Sequence, residues 1–278
     1  MGGYPRRVSD ANWSWLPLIG AGVLFAGEVA IVTGGGSGIG LATVRELGAL
    51  GARVAICGRK RERLDAAVAE LTTAGLDVFA DVCDIRQPEQ VAAFVDAVMA
   101  RFGRIDVLVN NAGGQFPMAA EALEPKGWDA VIRNNLNGTF YMTTAVARRA
   151  MIPAKSGRIV MVTANAKRGF PGMVHTGAAR AAVENMVRTL SIEWATYKIR
   201  VNAVAPGTVI SSGTAQYPPE LLEASRLRSP MKRFGTEAEI ATSIVFMASS
   251  LTAWVTGQVF RIDGGSSLFG DNWIIPDP

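Results

Sequence analysis

Seven apolar runs rich in β-branched residues, each followed by a stretch with helical spacing, restrict this chain to a parallel sheet covered by helices on both faces. The strands are expected at 29–33, 53–57, 78–83, 107–110, 158–163, 200–205 and 259–262. Helices are expected at 41–50, 61–74, 88–102, 128–151, 177–196 and 237–249. One connection departs from the rhythm. Between Thr208 and Gly235 the chain carries Ser211, Ser212, Gly213, Pro218, Pro219 and Pro230 around a short helical run at 220–228. An insertion there, after the carboxyl end of a strand, is where α/β proteins build substrate lids.

The 278 residues, 49% of them hydrophobic, suit one core and therefore one domain. Residues 1–28 read as an N-terminal arm, 29–265 as the domain with its lid at 208–235, and 266–278 as a tail. Arg6 and Arg7 before the apolar run 16–25 have the outline of an export signal, but Pro17, Gly20 and Gly22 interrupt it. The run is also shorter than the roughly 20 residues that a membrane span needs. A net charge of +4, carried by scattered basic residues, excludes a nucleic-acid stripe and suits small anionic ligands. Cys57 and Cys83 are too few for a disulfide scaffold, which points to a reducing cytoplasm. His, Cys and carboxylates do not cluster at metal-ligand spacing, so no metal is expected.

Directly after the first strand comes Thr33-Gly34-Gly35-Gly36-Ser37-Gly38-Ile39-Gly40, opening a helix. A tight turn whose backbone N–H groups must approach a pyrophosphate excludes side chains, and the helix N-terminus adds partial positive charge. Gly34, Ser37, Gly38, Ile39 and Gly40 are the candidate phosphate cradle. The second strand ends in Gly58-Arg59-Lys60, where a carboxylate would otherwise bond an adenosine ribose 2′-OH. Glycine leaves room for a 2′-phosphate, Arg59 offers a guanidinium fork and Lys60 a point charge, so NADP(H) is expected in preference to NAD(H). Arg59 to Arg63 read as a solvated helix start is the alternative.

The glycine loop, Asp84-Ile85 after the third strand, Asn110-Asn111-Ala112-Gly113 after the fourth, Asn135 in the long helix and Pro206-Gly207 after the sixth together resemble the short-chain dehydrogenases/reductases. The resemblance implies a single-domain, Rossmann-type, doubly wound parallel sheet of seven strands. It further implies that Asp84 and Ile85 flank the adenine, that Asn111, Ala112 and Gly113 line the central cleft, and that Pro206, Gly207 and Val209 cover the nicotinamide end. A homotetramer built on the two long helices is the expected assembly.

The departures from that pattern carry more information. Where the family has a serine and then Tyr-x-x-x-Lys, this chain has Ala164, Thr176 and Arg180. The four-residue spacing still stacks 176 and 180 on one helical face. Ketone reduction needs a proton on oxygen, for which a threonine hydroxyl is too weak an acid. Reduction of a conjugated C=C instead builds charge on a thioester oxygen, which hydrogen-bond donors can stabilise until water protonates carbon. The segments 111–116, 126–128, 138–142 and 170–181 are similar to the peroxisomal trans-2-enoyl-CoA reductases and, next, the 2,4-dienoyl-CoA reductases, although the chain ends Pro276-Asp277-Pro278 without the peroxisomal tripeptide.

Arg180 inherits the lysine's work on the nicotinamide ribose in this reading, with a salt bridge to Glu184 as the alternative. Asn135 is the family's helix-bending asparagine, and Asn137 a rival. Thr163 and Thr176 are candidate donors to a thioester oxygen or ordinary strand-end and cap hydroxyls. Phe116, His175 and Tyr217 are candidate substrate residues, His175 being equally readable as a packing or capping residue. Lys167 with Arg168 and Lys232 with Arg233 suit the phosphates of a CoA ester or simple solvation. The expected activity is NADPH-dependent reduction of an enoyl- or dienoyl-CoA-like thioester. Carbonyl reduction of 3-oxoacyl type with a non-standard proton donor, and a regulatory NADP-binding protein without catalysis, are the alternatives.

Overall fold

The computed structural model describes residues 24–210 and 219–268, so the lid residue Tyr217, most of the N-terminal arm and most of the tail lie outside the described residues. Seven strands form one sheet in the order β3-β2-β1-β4-β5-β6-β7, every neighbouring pair parallel. They are β1 (Val29–Thr33), β2 (Arg53–Gly58), β3 (Val78–Val82), β4 (Val107–Asn110), β5 (Gly157–Val162), β6 (Ile199–Pro206) and β7 (Val259–Ile262). The chain order reverses beside β1, between β2 and β4, and a doubly wound sheet opens a ligand crevice at such a point.

The helices are α1 (Gly38–Ala49), α2 (Arg61–Thr73), α3 (Pro88–Phe102), α4 (Pro125–Ile132), α5 (Gly138–Val146), α6 (Ile152–Ala154), α7 (Val174–Glu193), α8 (Pro219–Arg228) and α9 (Glu237–Ala248). On one face of the sheet, Val44, Leu47, Leu64, Ile240 and Ile244 from α1, α2 and α9 pack against Val32, Ile56 and Val109. On the other face, Val91, Phe94, Met142 and Val183 from α3, α5 and α7 pack against Ile31, Leu108 and Ile159. Central strands buried on both sides must be apolar throughout, which is why β1 reads VAIVT rather than alternating. Phe25 is completely buried in the α1–α2 side and its N–H donates to Leu50 O, so core packing starts four residues before β1.

The helix expected at 128–151 begins at Pro125 and runs on to Ala154, with π turns at Arg133–Asn137 and Ala147–Met151. A π turn inserts one extra residue and rotates the side chains that follow, and such turns concentrate at functional sites. Here the first one carries Asn135 inward. α9 starts with a capping box between Thr236 and Glu239, legible in sequence as Thr-x-x-Glu.

Candidate active site

Glycines shape the first half of the site. A Cβ at Gly40 would lie 2.3 Å from Gly34 O, and one at Gly35 would lie 2.5 Å from the Ile56 side chain. Gly34 and Gly38 have φ of +68° and +58°, which glycine adopts without strain. Thr33 at the end of β1 accepts at Oγ1 from Asn111 N and Ala112 N, both at 3.0 Å, and Asn111 Nδ2 donates to Thr33 O. The β1 and β4 loops are thereby clamped side by side. Between them and the ends of β2 and β3 lies a cleft of about 240 Å³.

Gly34, Ser37, Arg59, Lys60, Asp84, Ile85, Asn111, Ala112 and Gly113 all line this cleft, so nine of the residues proposed from sequence for the cofactor come together there. Gly38, Ile39 and Gly40 follow as the first turn of α1. Arg63, which sequence reading assigned only to a helix start, also lines the cleft beside Arg59 and Lys60. Arg86 chelates the Asp84 carboxylate and, with Arg59 further away, holds it below the usual carboxylate range. Ile85 is fixed by Gly138, where a Cβ would come within 2.7 Å of it. Both cysteines are buried at the cleft floor, Cys57 with its thiol pKa raised well above the ordinary value by the Cys83 side chain and by burial. The remaining cofactor candidates, Pro206, Gly207 and Val209, sit elsewhere. Gly207 lines a second cavity of about 330 Å³ between β6, β7, α8 and α9. Val209 is bridged to Gly235 at its rim.

Asn135, Thr163, Thr176 and Arg180 are all buried, the first and third completely. Asn135 and Asn137 both lie in the π turn, and Asn135 is the buried one: its Oδ1 accepts from Gly114 N and its Nδ2 donates to Gly114 O, both at 2.9 Å. The cleft loop is thus pinned to the π turn. Arg180 reaches under the same loop, and a Cβ at Gly113 would lie 2.6 Å from its Nη2 and 3.1 Å from Asn135 Oδ1. Gly113 is the junction between cofactor cleft and reaction centre. Arg180 Nη1 donates to Val162 O at 2.9 Å, whereas its Nε finds no partner among the described residues. Burial lowers its pKa to about 10, which leaves it cationic at neutral pH. The Glu184 alternative fails, because Glu184 pairs with Arg188 and Arg261 instead. An uncompensated buried cation is costly, so this geometry favours a ligand with oxygen acceptors.

His175 is drawn into the protein. Its Nδ1 accepts from Thr176 N at 2.8 Å. Its Nε2 is buried without a partner, and the ring meets Phe116 edge-on with centroids 4.7 Å apart. The ring of His175 thus packs against Phe116, the other described residue proposed from sequence for the substrate side. Thr163 Oγ1 makes only a long 3.4 Å bond to Val204 O, and Thr176 Oγ1 lies 3.3 Å from His175 Nδ1. Tyr141 and Tyr197 pack against the core cluster on the α3, α5 and α7 side. Three of the four cations considered for substrate phosphates are engaged: Arg233 pairs with Glu239, Lys232 Nζ donates to Leu227 O, and Arg168 donates to Leu268 O, while Lys167 is exposed. Among the described residues no three His, Cys, Asp or Glu gather as metal ligands, and no helix is long and apolar enough to cross a membrane.

Comparison with known proteins agrees with this geometry. A family model described as Enoyl-(Acyl carrier protein) reductase matches residues 34–267. A probable 2,4-dienoyl-CoA reductase of Bacillus subtilis is 36% identical over 90% of this chain and 98% of its own length. The 3-oxoacyl-[acyl-carrier-protein] reductase FabG of Thermotoga maritima is 39% identical over 86% of this chain and 97% of its own. Among solved structures, a citronellol catabolism dehydrogenase of Pseudomonas aeruginosa superposes with a TM-score of 0.80 at 43% identity, covering 88% of this chain and 96% of that one. With its clamped glycine cradle, its seven parallel strands and these relatives, the chain belongs to the short-chain dehydrogenase/reductase family of oxidoreductases.

Proposed function

We propose that the protein reduces an activated C=C bond in an enoyl- or dienoyl-CoA-like thioester with NADPH. The observation that carries this reading is the pair Thr176 and Arg180: a threonine stands where the family has its proton-donating phenol, and a buried cation whose Nε finds no partner among the described residues stands where it has lysine. NADPH, when bound, supplies the hydride. The cleft suits such a dinucleotide, since its glycines keep side chains out of the cradle and Arg59, Lys60 and Arg63 line it where a 2′-phosphate needs charge. In this reading the amides from Ser37 to Gly40 hold pyrophosphate, Asp84 and Ile85 flank adenine, and Asn111 to Gly113 line the cleft centre. Pro206, Gly207 and Val209 close the nicotinamide end. Arg180 orients the ribose hydroxyls and stabilises negative charge arriving on the thioester oxygen, with Thr163 and Thr176 as neutral donors. Asn135 keeps Gly114 in place, Phe116 and Tyr217 shape the substrate side, and water protonates carbon.

The test is NADPH oxidation with crotonyl-CoA and with acetoacetyl-CoA. Turnover of the enoyl ester is expected; turnover of the ketone alone overturns the reading. Carbonyl reduction is the second reading, favoured by the FabG relative at 39% identity. A homotetramer is proposed on the grounds that Trp128 and Phe140 are exposed on the long helix and Trp254 is fully exposed. Light scattering that returns the monomer mass would exclude it.

A further inference from the structure

One basic groove remains without a role. Arg86 and Gln87, before α3, face Lys126, Asp129, Ala130 and Arg133 of α4 across a groove that encloses about 540 Å³. Positions 126, 129, 130 and 133 share one helical face. Lys126 and Arg133 are exposed, and among the described residues neither makes an ion pair or a hydrogen bond. Arg86 is held by Asp84 through Nε and Nη2, which leaves its Nη1 as a donor. Asp129 is the one acid of the groove and pairs with neither cation.

The groove adjoins the reaction centre at both ends of its helix. Gly127, next to Lys126, lies beneath Phe116, since a Cβ there would come within 3.1 Å of Phe116 Cζ; Phe116 in turn covers His175. At the other end Arg133 precedes Asn134, which lines the cofactor cleft, and Asn135, which pins Gly114. The groove therefore lies on the helix that joins Phe116 to the cofactor cleft. Of the cations that sequence offered for substrate phosphates, Arg168, Lys232 and Arg233 are already bonded, whereas Lys126 and Arg133 are open and lie on the helix that passes beneath Phe116.

We propose that Lys126 and Arg133, with Arg86, bind the phosphates of the coenzyme A portion of the substrate, an inference that rests on the acyl-thioester reading. Phosphate is the shared chemistry of coenzyme A and of the phosphopantetheine arm of a carrier protein. Separating them is part of the experiment. The Lys126→Glu/Arg133→Glu double variant is assayed on crotonyl-CoA, on crotonyl-pantetheine, which has no phosphate, and on a crotonyl carrier protein. The KM for crotonyl-CoA is expected to rise about ten-fold, the loss of roughly one charge-assisted contact. The KM for crotonyl-pantetheine, the kcat and the NADPH affinity are expected to stay unchanged. Asp129→Asn is expected to lower the crotonyl-CoA KM, and added salt to shrink the difference between wild type and variant.

An unchanged KM for crotonyl-CoA, or an equal rise for crotonyl-pantetheine, overturns the proposal. A rise confined to the carrier-protein ester also overturns it and moves the groove to that partner. If no enoyl ester is turned over, coenzyme A is titrated into the NADP-loaded protein by calorimetry. Binding by wild type that the double variant loses upholds the groove while the reaction reading falls, and no binding by wild type overturns the groove as well.

Discussion

The cofactor cleft and the reaction centre meet at Gly113 but are specified in different ways. The cleft is shaped mainly by backbone: glycines at 34, 35, 38 and 40, amides at 111 and 112, and strand ends in register. At the candidate reaction centre side chains decide, with Asn135 and Arg180 held by Gly114 and Val162, both distant in sequence, and Thr176 by its neighbour His175. A backbone site tolerates almost no added volume, whereas a side-chain site keeps its shape and changes its chemistry.

Arg180→Met attacks the side-chain half and carries the largest expected effect. It should lower kcat/KM about a thousand-fold, near 4 kcal/mol for a preorganised charge, while Arg180→Lys recovers part of that. Single-turnover kinetics at saturating NADPH would check it, and a loss below ten-fold would remove Arg180 from the reaction. Gly40→Ala probes the backbone half. With Gly34 O only 2.3 Å from the new Cβ, it should destabilise the fold by about 3 kcal/mol in denaturant melts and abolish NADPH binding. Melting unchanged from wild type would show that the cradle yields.

Glu46 tests whether α1, which carries the cradle, is coupled to α9, which bounds the second cavity. It is buried between them, Oε1 accepting from Thr242 Oγ1 at 3.0 Å and Oε2 unpartnered, and burial raises its pKa to about 7. A raised carboxyl pKa means that the native state binds the extra proton. Stability from this group is full below the unfolded value of 4.5 and is lost as pH rises through about 7. Glu46→Gln should remove that slope and stabilise the protein at pH 8 by at most about 3 kcal/mol, measured by melts across pH. A wild-type profile as flat as the variant's would refute the buried-acid account. The smallest effect is expected of Arg59→Ala/Lys60→Ala, which should weaken NADPH about thirty-fold, near 2 kcal/mol, and leave NADH unchanged. Equal weakening of both dinucleotides would place these cations on the pyrophosphate instead of the 2′-phosphate.

The strands were legible because a sheet covered on both faces leaves continuous apolar runs, and the glycine loop because only glycine fits a turn so close to a neighbouring carbonyl. The spacing of Thr176 and Arg180 likewise gave their common face and their departure from the family pattern. Long-range geometry was not available from spacing. The pairing of buried Asn135 with Gly114, the packing of His175 against Phe116 and the diversion of Glu184 to Arg188 and Arg261 depend on how elements distant in sequence pack together. Local chemistry, periodicity and chirality therefore determined the fold and the cofactor cradle from sequence alone. Only the tertiary structure decided which polar side chains are spent on the protein itself and which remain for a ligand, because hydrogen-bond partners distant in sequence are fixed by packing.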